Sequence, residues 1–80
     1  MDLGQFLTKE EKIASLEQIK RLLSVEIYKI CASTGINPDT FDYSTYACPV
    51  GNVDYRLREL EKHSKNLVSL VSKLEDLKNA

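Results

Sequence analysis

The side chains with the most reactive chemistry are two cysteines and a single histidine, Cys31, Cys48 and His63. Thiolate and imidazole groups are preferred ligands of zinc, and the carboxylates of Asp39 and Asp42 could add to them. Their spacing, however, matches none of the compact patterns that bring metal ligands together by local geometry. A cysteine–histidine nucleophilic pair would also need an orienting group and an oxyanion site, and the sequence indicates neither. We therefore predict no enzyme, no catalytic residue, no bound metal and no cofactor.

A candidate anion site lies at the start of the second predicted helix. Asn52, Arg56 and Arg58 stand beside the backbone N–H groups that a helix leaves free at its N terminus. Such groups, together with positive side chains, hold small anions such as phosphate. A small anion or nucleotide is therefore one predicted ligand, and solvated arginines on a mixed-charge helix are the alternative interpretation.

A second candidate site is an aromatic segment that contains Phe41, Asp42, Tyr43 and Tyr46. Aromatic side chains on a loop offer a large contact area at low entropic cost, which is typical of surfaces that bind other proteins. Residues 34–55 contain three acids and no Lys or Arg. Without cations there is no attraction to phosphate, so we expect a protein partner here and not a nucleic acid. The alternative is that these rings close one end of a helical bundle.

Two long helices must position these residues. Apolar residues recur every three or four positions in both halves of the chain, which is the period of one helical face. The first helix is predicted over 9–33, because Thr8 and Glu11 form a capping-box pattern and Gly35 is a typical stop. The second is predicted over 53–78, with Asn52 as its cap.

The remaining segments are a lead-in over residues 1–8 and a loop over 34–52. The loop is long for a connection in a small domain, and it holds both prolines and two of the three glycines. Asn37 followed by Pro38 is typical of a helix start, which predicts a short helix over 38–45. The predicted fold is thus a single all-α domain, an antiparallel hairpin of two long helices joined by a long loop.

The apolar residues of the second helix follow a coiled-coil pattern that predicts self-association. A lone two-helix hairpin of 80 residues buries too little apolar surface to offset the conformational entropy that the chain loses on folding. A homodimer that forms a four-helix bundle would cover both apolar stripes and a second patch at Ala14, Leu22 and Val25. A monomer whose lead-in and loop cover the stripes is the alternative. The predicted oligomer seam consists of Leu57, Leu60, His63, Leu67, Leu70, Leu74 and Leu77.

His63 is the one polar residue in this seam, and we expect it to set register. Partial burial of its imidazole would instead make assembly sensitive to pH.

The balance of basic and acidic residues limits the kinds of partner that the protein can bind. The chain has 11 Lys and Arg residues against 12 Asp and Glu residues, so no overall field draws it to polyanions. The charge balance therefore disfavours nucleic-acid binding, unless an oligomer gathers the basic residues of the first helix on one face. Those residues are Lys9, Lys12, Lys20, Arg21 and Lys29.

The expected compartment is the cytoplasm. Asp2 stands where a signal peptide carries a positive charge, and no apolar run approaches the length of a membrane span. Without a secretory signal we expect Cys31 and Cys48 to be free thiols. The sequence therefore predicts a small protein-interaction module, an adaptor, an inhibitor or an assembly subunit, that acts as a homo-oligomeric bundle. An oligomer that binds or sequesters a small ligand is the alternative.

Overall fold

The structure is a computed structural model that describes residues 3–80. It contains a 3-10 helix at Leu3–Gln5 and two long helices, α1 at Lys9–Thr34 and α2 at Tyr55–Asn79. The two helices run antiparallel, since Lys9 Nζ donates to Ala80 O at one end (2.7 Å) and Arg56 Nη1 donates to Ser33 O at the other (3.2 Å). The prediction of an all-α helical hairpin is confirmed. Residues 1 and 2 of the predicted lead-in lie outside the described residues.

The ends of α1 follow from local chemistry. Thr8 Oγ1 accepts from the Glu11 N–H (3.1 Å), and Glu11 Oε1 accepts from the Thr8 N–H (3.0 Å). This reciprocal capping box satisfies two of the N–H groups that the helix leaves unpaired, as predicted. Gly35 ends the helix in the left-handed conformation (φ 82°), and its N–H donates to Cys31 O.

The start of α2 differs from the prediction. The helix begins at Tyr55 with Asp54 as its cap, two residues later than the predicted start at Val53, and Asn52 is not the cap. Gly51 is in a positive-φ turn (77°), and the Asn52 amide donates to Asp54 O (2.8 Å), which holds the chain outside helical geometry until Asp54. Val53 is consequently 95% exposed and belongs to no apolar stripe.

The predicted short helix over 38–45 is wrong, because two separate turns occupy these residues. Asn37 Oδ1 accepts from the Asp39 N–H (3.0 Å), and Asp42 Oδ1 accepts from the Ser44 N–H (2.9 Å). Asn and Asp side chains that bond two residues ahead stabilise turns in place of a continuing helix. The Asn37–Pro38 pair, which was interpreted as a helix start, therefore marks a turn.

The core lies between the two helices. Most of its fully buried residues come from α2, which packs its stripe against α1 of the same chain. Each such leucine contributes roughly 1.5–3 kcal/mol by leaving water. Within the predicted oligomer seam, Leu57, His63 and Leu77 are half-buried. The buried residues are Ile27, Cys31, Leu60, Ser64, Leu67, Leu70 and Leu74.

Candidate interaction surface

The predicted aromatic segment covers one end of the hairpin. Phe41, Tyr43 and Tyr46 are half-buried and pack against the core, and the rings of Phe41 and Tyr46 lie 5.2 Å apart in a tilted arrangement. Burial raises the pKa of Tyr46. Asp42 is exposed, and hydrogen bonds from Ser44 hold the pKa of its carboxyl below the usual range. These rings therefore have a structural role, and partner binding through their outer edges stays a prediction.

A carboxylate of α2 anchors the loop. Glu61 Oε2 accepts from the Cys48 N–H, while Glu61 Oε1 accepts from Lys65 Nζ (2.9 Å). The Lys65 ammonium, and after it the Cys48 N–H, lower the pKa of Glu61. Sequence reasoning missed Glu61, because a charged residue in a mixed-charge helix looks like solvated surface. Its contact with the loop depends on a fold that spacing alone does not give.

The two cysteines are free thiols in different surroundings. Cys31 is fully buried, and this burial raises the pKa of its thiol. Cys48 is half-buried, and its sulfur accepts weakly from the Asn52 amide (3.6 Å). Among residues 3–80, no three His, Cys, Asp or Glu residues come together in a way that could hold a metal ion.

The candidate anion site is occupied by the protein's own groups. Asp54 Oδ1 accepts from the Arg56 N–H (3.0 Å), so a carboxylate already caps the first turn of α2. The Arg56 guanidinium also pairs with Asp54 (2.8 Å) and lowers the pKa of that carboxyl. Arg58 Nη2 donates to Asn52 O (3.2 Å). Anion binding by Asn52, Arg56 and Arg58 stays a prediction, and this geometry does not favour it, because an anion would meet Asp54.

Over residues 3–80, two buried side-chain polar atoms of α2 have no hydrogen-bond partner, His63 Nδ1 in the seam and Ser64 Oγ beside it. His63 is half-buried, and its Nε2 lies 3.7 Å from Glu59 Oε2, so its predicted role in register stays open. Ser64 is completely buried, and sequence reasoning missed it. Its position between Leu60 and Leu67 completes the three–four spacing of the buried stripe, and that spacing was the signal available.

One face of the hairpin has a long recess between α1 and α2, which we call the groove. It consists of two adjoining hollows of about 330 Å³ and about 700 Å³, with Lys73 in the wall of both. The smaller hollow is lined by Ile19, Leu23, Asn66, Ser69, Leu70 and Lys73. The larger is lined by Gly4, Leu7, Lys12, Ser15, Leu16, Lys73 and Leu77. The lining is largely apolar, and its charged members are two lysines.

The apolar surface continues from the groove onto the outer side of α1. Ile19 is 46% exposed, Leu22 61% and Val25 42%, and Tyr28 is exposed one turn further on. Leu22 and Val25 belong to the patch that the sequence predicted to need a cover. Spacing of three residues places these side chains side by side along the helix, so α1 presents apolar surface on the side away from α2.

A single α1 does not gather its basic residues on one side, and a basic face assembled by an oligomer stays a prediction. Lys9, Lys12, Lys20, Arg21 and Lys29 point in different directions, because their positions span a full rotation at about 100° per residue. Lys9 donates to Ala80 O.

The class that these observations define is the all-α helical hairpin. Comparison with protein-family models, with curated proteins and with solved structures found no match. Over the described residues, neither α1 nor α2 has the length and apolar character required to cross a bilayer.

Proposed function

We propose that the protein is a small non-enzymatic interaction module that acts as a homo-oligomeric helical bundle, with a dimer as the basic unit. The observation that carries this proposal is the apolar surface of α1 that its own chain leaves uncovered. Leu22, Val25 and Ile19 lie next to one another there, and the groove continues this surface toward α2. Contiguous exposed apolar surface of this kind is typical of protein interfaces.

The amount of exposed surface supports the same proposal. The chain exposes 5878 Å², whereas a compact monomer of this mass exposes about 4,900 Å². The radius of gyration is 14.9 Å, against about 12 Å for a compact 80-residue domain. The difference of about 1,000 Å² resembles the roughly 800 Å² that each partner buries in a standard protein interface.

Because the predicted seam is buried within the hairpin, the dimer interface must lie on another face. Leu60, Leu67 and Leu74 pack against α1 of their own chain, so the leucine ridge of α2 is already covered within the hairpin. A second chain therefore covers the residues that remain exposed, on α1 and along the groove. A dimer of this hairpin is still a four-helix bundle, as proposed from the sequence. Its chains meet through the exposed side of α1 and the groove, and not through the leucines of α2.

Sedimentation equilibrium tests the proposal. We expect the mass to rise toward twice 9.1 kDa as the concentration increases from about 1 to about 200 µM, since dimerisation follows mass action. Ile19→Asp places a charge in the exposed apolar surface and should lower the mass toward the monomer. Ser72→Asp is the matched control, because Ser72 is exposed on α2 and lies outside the groove. A 9.1 kDa particle at every concentration would refute self-association.

A further inference from the structure

Each helix carries one line of side chains along the groove face, with members seven residues apart. A spacing of seven residues returns to nearly the same angle around an α-helix, within about 20°. In both lines a lysine stands at one end, an uncharged residue in the middle and a glutamate at the other end. The line on α1 is Lys12, Ile19 and Glu26, and the line on α2 is Glu59, Asn66 and Lys73.

The two lines have the same polarity in space, because α1 and α2 are antiparallel. Lys12 and Lys73 both lie toward the end of the hairpin where Lys9 contacts Ala80, and both line the larger hollow. Glu26 and Glu59 lie toward the end that the loop covers. The middle residues, Ile19 and Asn66, line the same smaller hollow. Along these two lines, the groove face therefore carries lysines at one end, glutamates at the other and uncharged residues at the centre.

The hairpin leaves these four charges largely without strong partners. Within residues 3–80, neither Lys12 nor Lys73 forms an ion pair. Glu26 lies 3.7 Å from Lys29 in an exposed pair, and Glu59 lies 3.7 Å from the His63 imidazole. Such contacts contribute little in water. The charges are thus available to a second molecule.

We propose that the groove is the dimer interface and that its occupant is a second copy of this chain, related by a twofold axis perpendicular to the helices. This inference rests on the proposed function and names its interface. Rotation about that axis reverses the second groove end to end, so Lys12 of one copy faces Glu26 of the other and Lys73 faces Glu59. The axis passes near the middle residues, and the apolar floors of the two grooves meet around it.

The charge pattern distinguishes this arrangement from its alternative. A twofold axis parallel to the helices would place Lys12 and Lys73 of both copies at the same end, and like charges in an interface are unfavourable.

A neighbouring line of side chains on α2 also favours the antiparallel arrangement. Its members, Lys62, Ser69 and Asp76, lie seven residues apart and have the opposite polarity. End-to-end reversal sets Lys62 against Asp76 of the other copy. The groove face is therefore complementary to itself in the antiparallel arrangement.

Charge reversal tests the interface. One double variant, Lys12→Glu with Lys73→Glu, leaves only glutamate at the four positions, and the other, Glu26→Lys with Glu59→Lys, leaves only lysine. We expect each variant alone to dimerise at least about tenfold more weakly than the parent chain, since four exposed ion pairs become repulsions. Mixing the two variants should restore a complex of parental affinity, because every facing pair is then a glutamate and a lysine.

The heterodimer also serves as the folding control, since two unfolded chains would not restore specific association. Arg21→Glu, compared with the single variant Lys73→Glu, is the matched control, because it makes the same change in net charge on the side of α1 away from the groove. We expect it to leave the dimer constant within about twofold. Measurements use sedimentation equilibrium at low salt, where these charges act most strongly.

Three outcomes are informative. Weak homodimers with a strong mixed dimer support the proposed interface. A parental chain that dimerises while both double variants dimerise equally well overturns the groove as the interface but leaves self-association intact. A parental chain that stays monomeric overturns the proposed function, and the groove interface with it.

Discussion

Replacement of Ser64 by alanine should stabilise the protein. The Ser64 hydroxyl is completely buried between Leu60 and Leu67, and it has no hydrogen-bond partner. A buried polar group without a partner costs about 1–3 kcal/mol. Alanine removes that group, leaves a void of only one oxygen atom and is a better helix former by about 0.5 kcal/mol.

We therefore expect Ser64→Ala to raise the free energy of unfolding by about 1–2 kcal/mol. For a domain of this size, 1 kcal/mol raises Tm by roughly 4–8 °C. Urea unfolding followed by circular dichroism at a fixed protein concentration measures the effect, since dimerisation would otherwise shift the midpoint.

Ser72→Ala separates the two contributions, because Ser72 is exposed on α2 and reports helix propensity alone. The stabilisation by Ser64→Ala should exceed that by Ser72→Ala. Equal stabilities of the two variants, or a loss of stability in Ser64→Ala, would mean that the Ser64 hydroxyl has a partner in solution and would refute the reasoning.

Three further predictions concern the core, acid stability and the thiols. Leu67→Ala should lower the free energy of unfolding by about 2–5 kcal/mol, as calorimetry or urea unfolding will measure, because Leu67 is buried in the core. The folded-state pKa of Glu61 is lowered from 4.5, so its ion pair stabilises the protein above this value and the benefit is lost as the pH falls below it. Glu61→Gln should therefore show a smaller loss of Tm between about pH 5 and pH 3 than the parent chain; an identical loss would contradict this. A thiol-specific reagent should modify Cys48 first and Cys31 only after unfolding, since Cys31 is buried and its pKa is raised; mass spectrometry identifies the modified residue.

Much of the fold could be predicted from the sequence because local chemistry determines it. The spacing of the apolar residues predicted both helices. Thr8 and Glu11 predicted the start of α1, and Gly35 predicted its end. The start of α2 was wrong by two residues because Asn52 and Asp54 are equally good caps. A hydrogen bond of the Asn52 amide and the positive φ of Gly51 decide between them, and no residue pattern shows either.

The candidate sites were harder to predict because they depend on how the chain returns on itself. Ser64 is buried only because α1 covers it, and a serine in a polar helix gives no direct sign of that. Asp54, one of the three acids of residues 34–55, occupies the helix end proposed for an anion. The groove combines residues about 50 positions apart, such as Ile19 and Asn66, and the hairpin must be known before they can be seen together.

The aromatic loop makes the two ends of the hairpin unequal. Phe41 and Tyr46 pack against the core at one end, while Leu77 at the far end is only half-buried. We therefore expect separation of the helices to start at the far end and to proceed toward the loop, since local opening begins where the fewest apolar contacts must break.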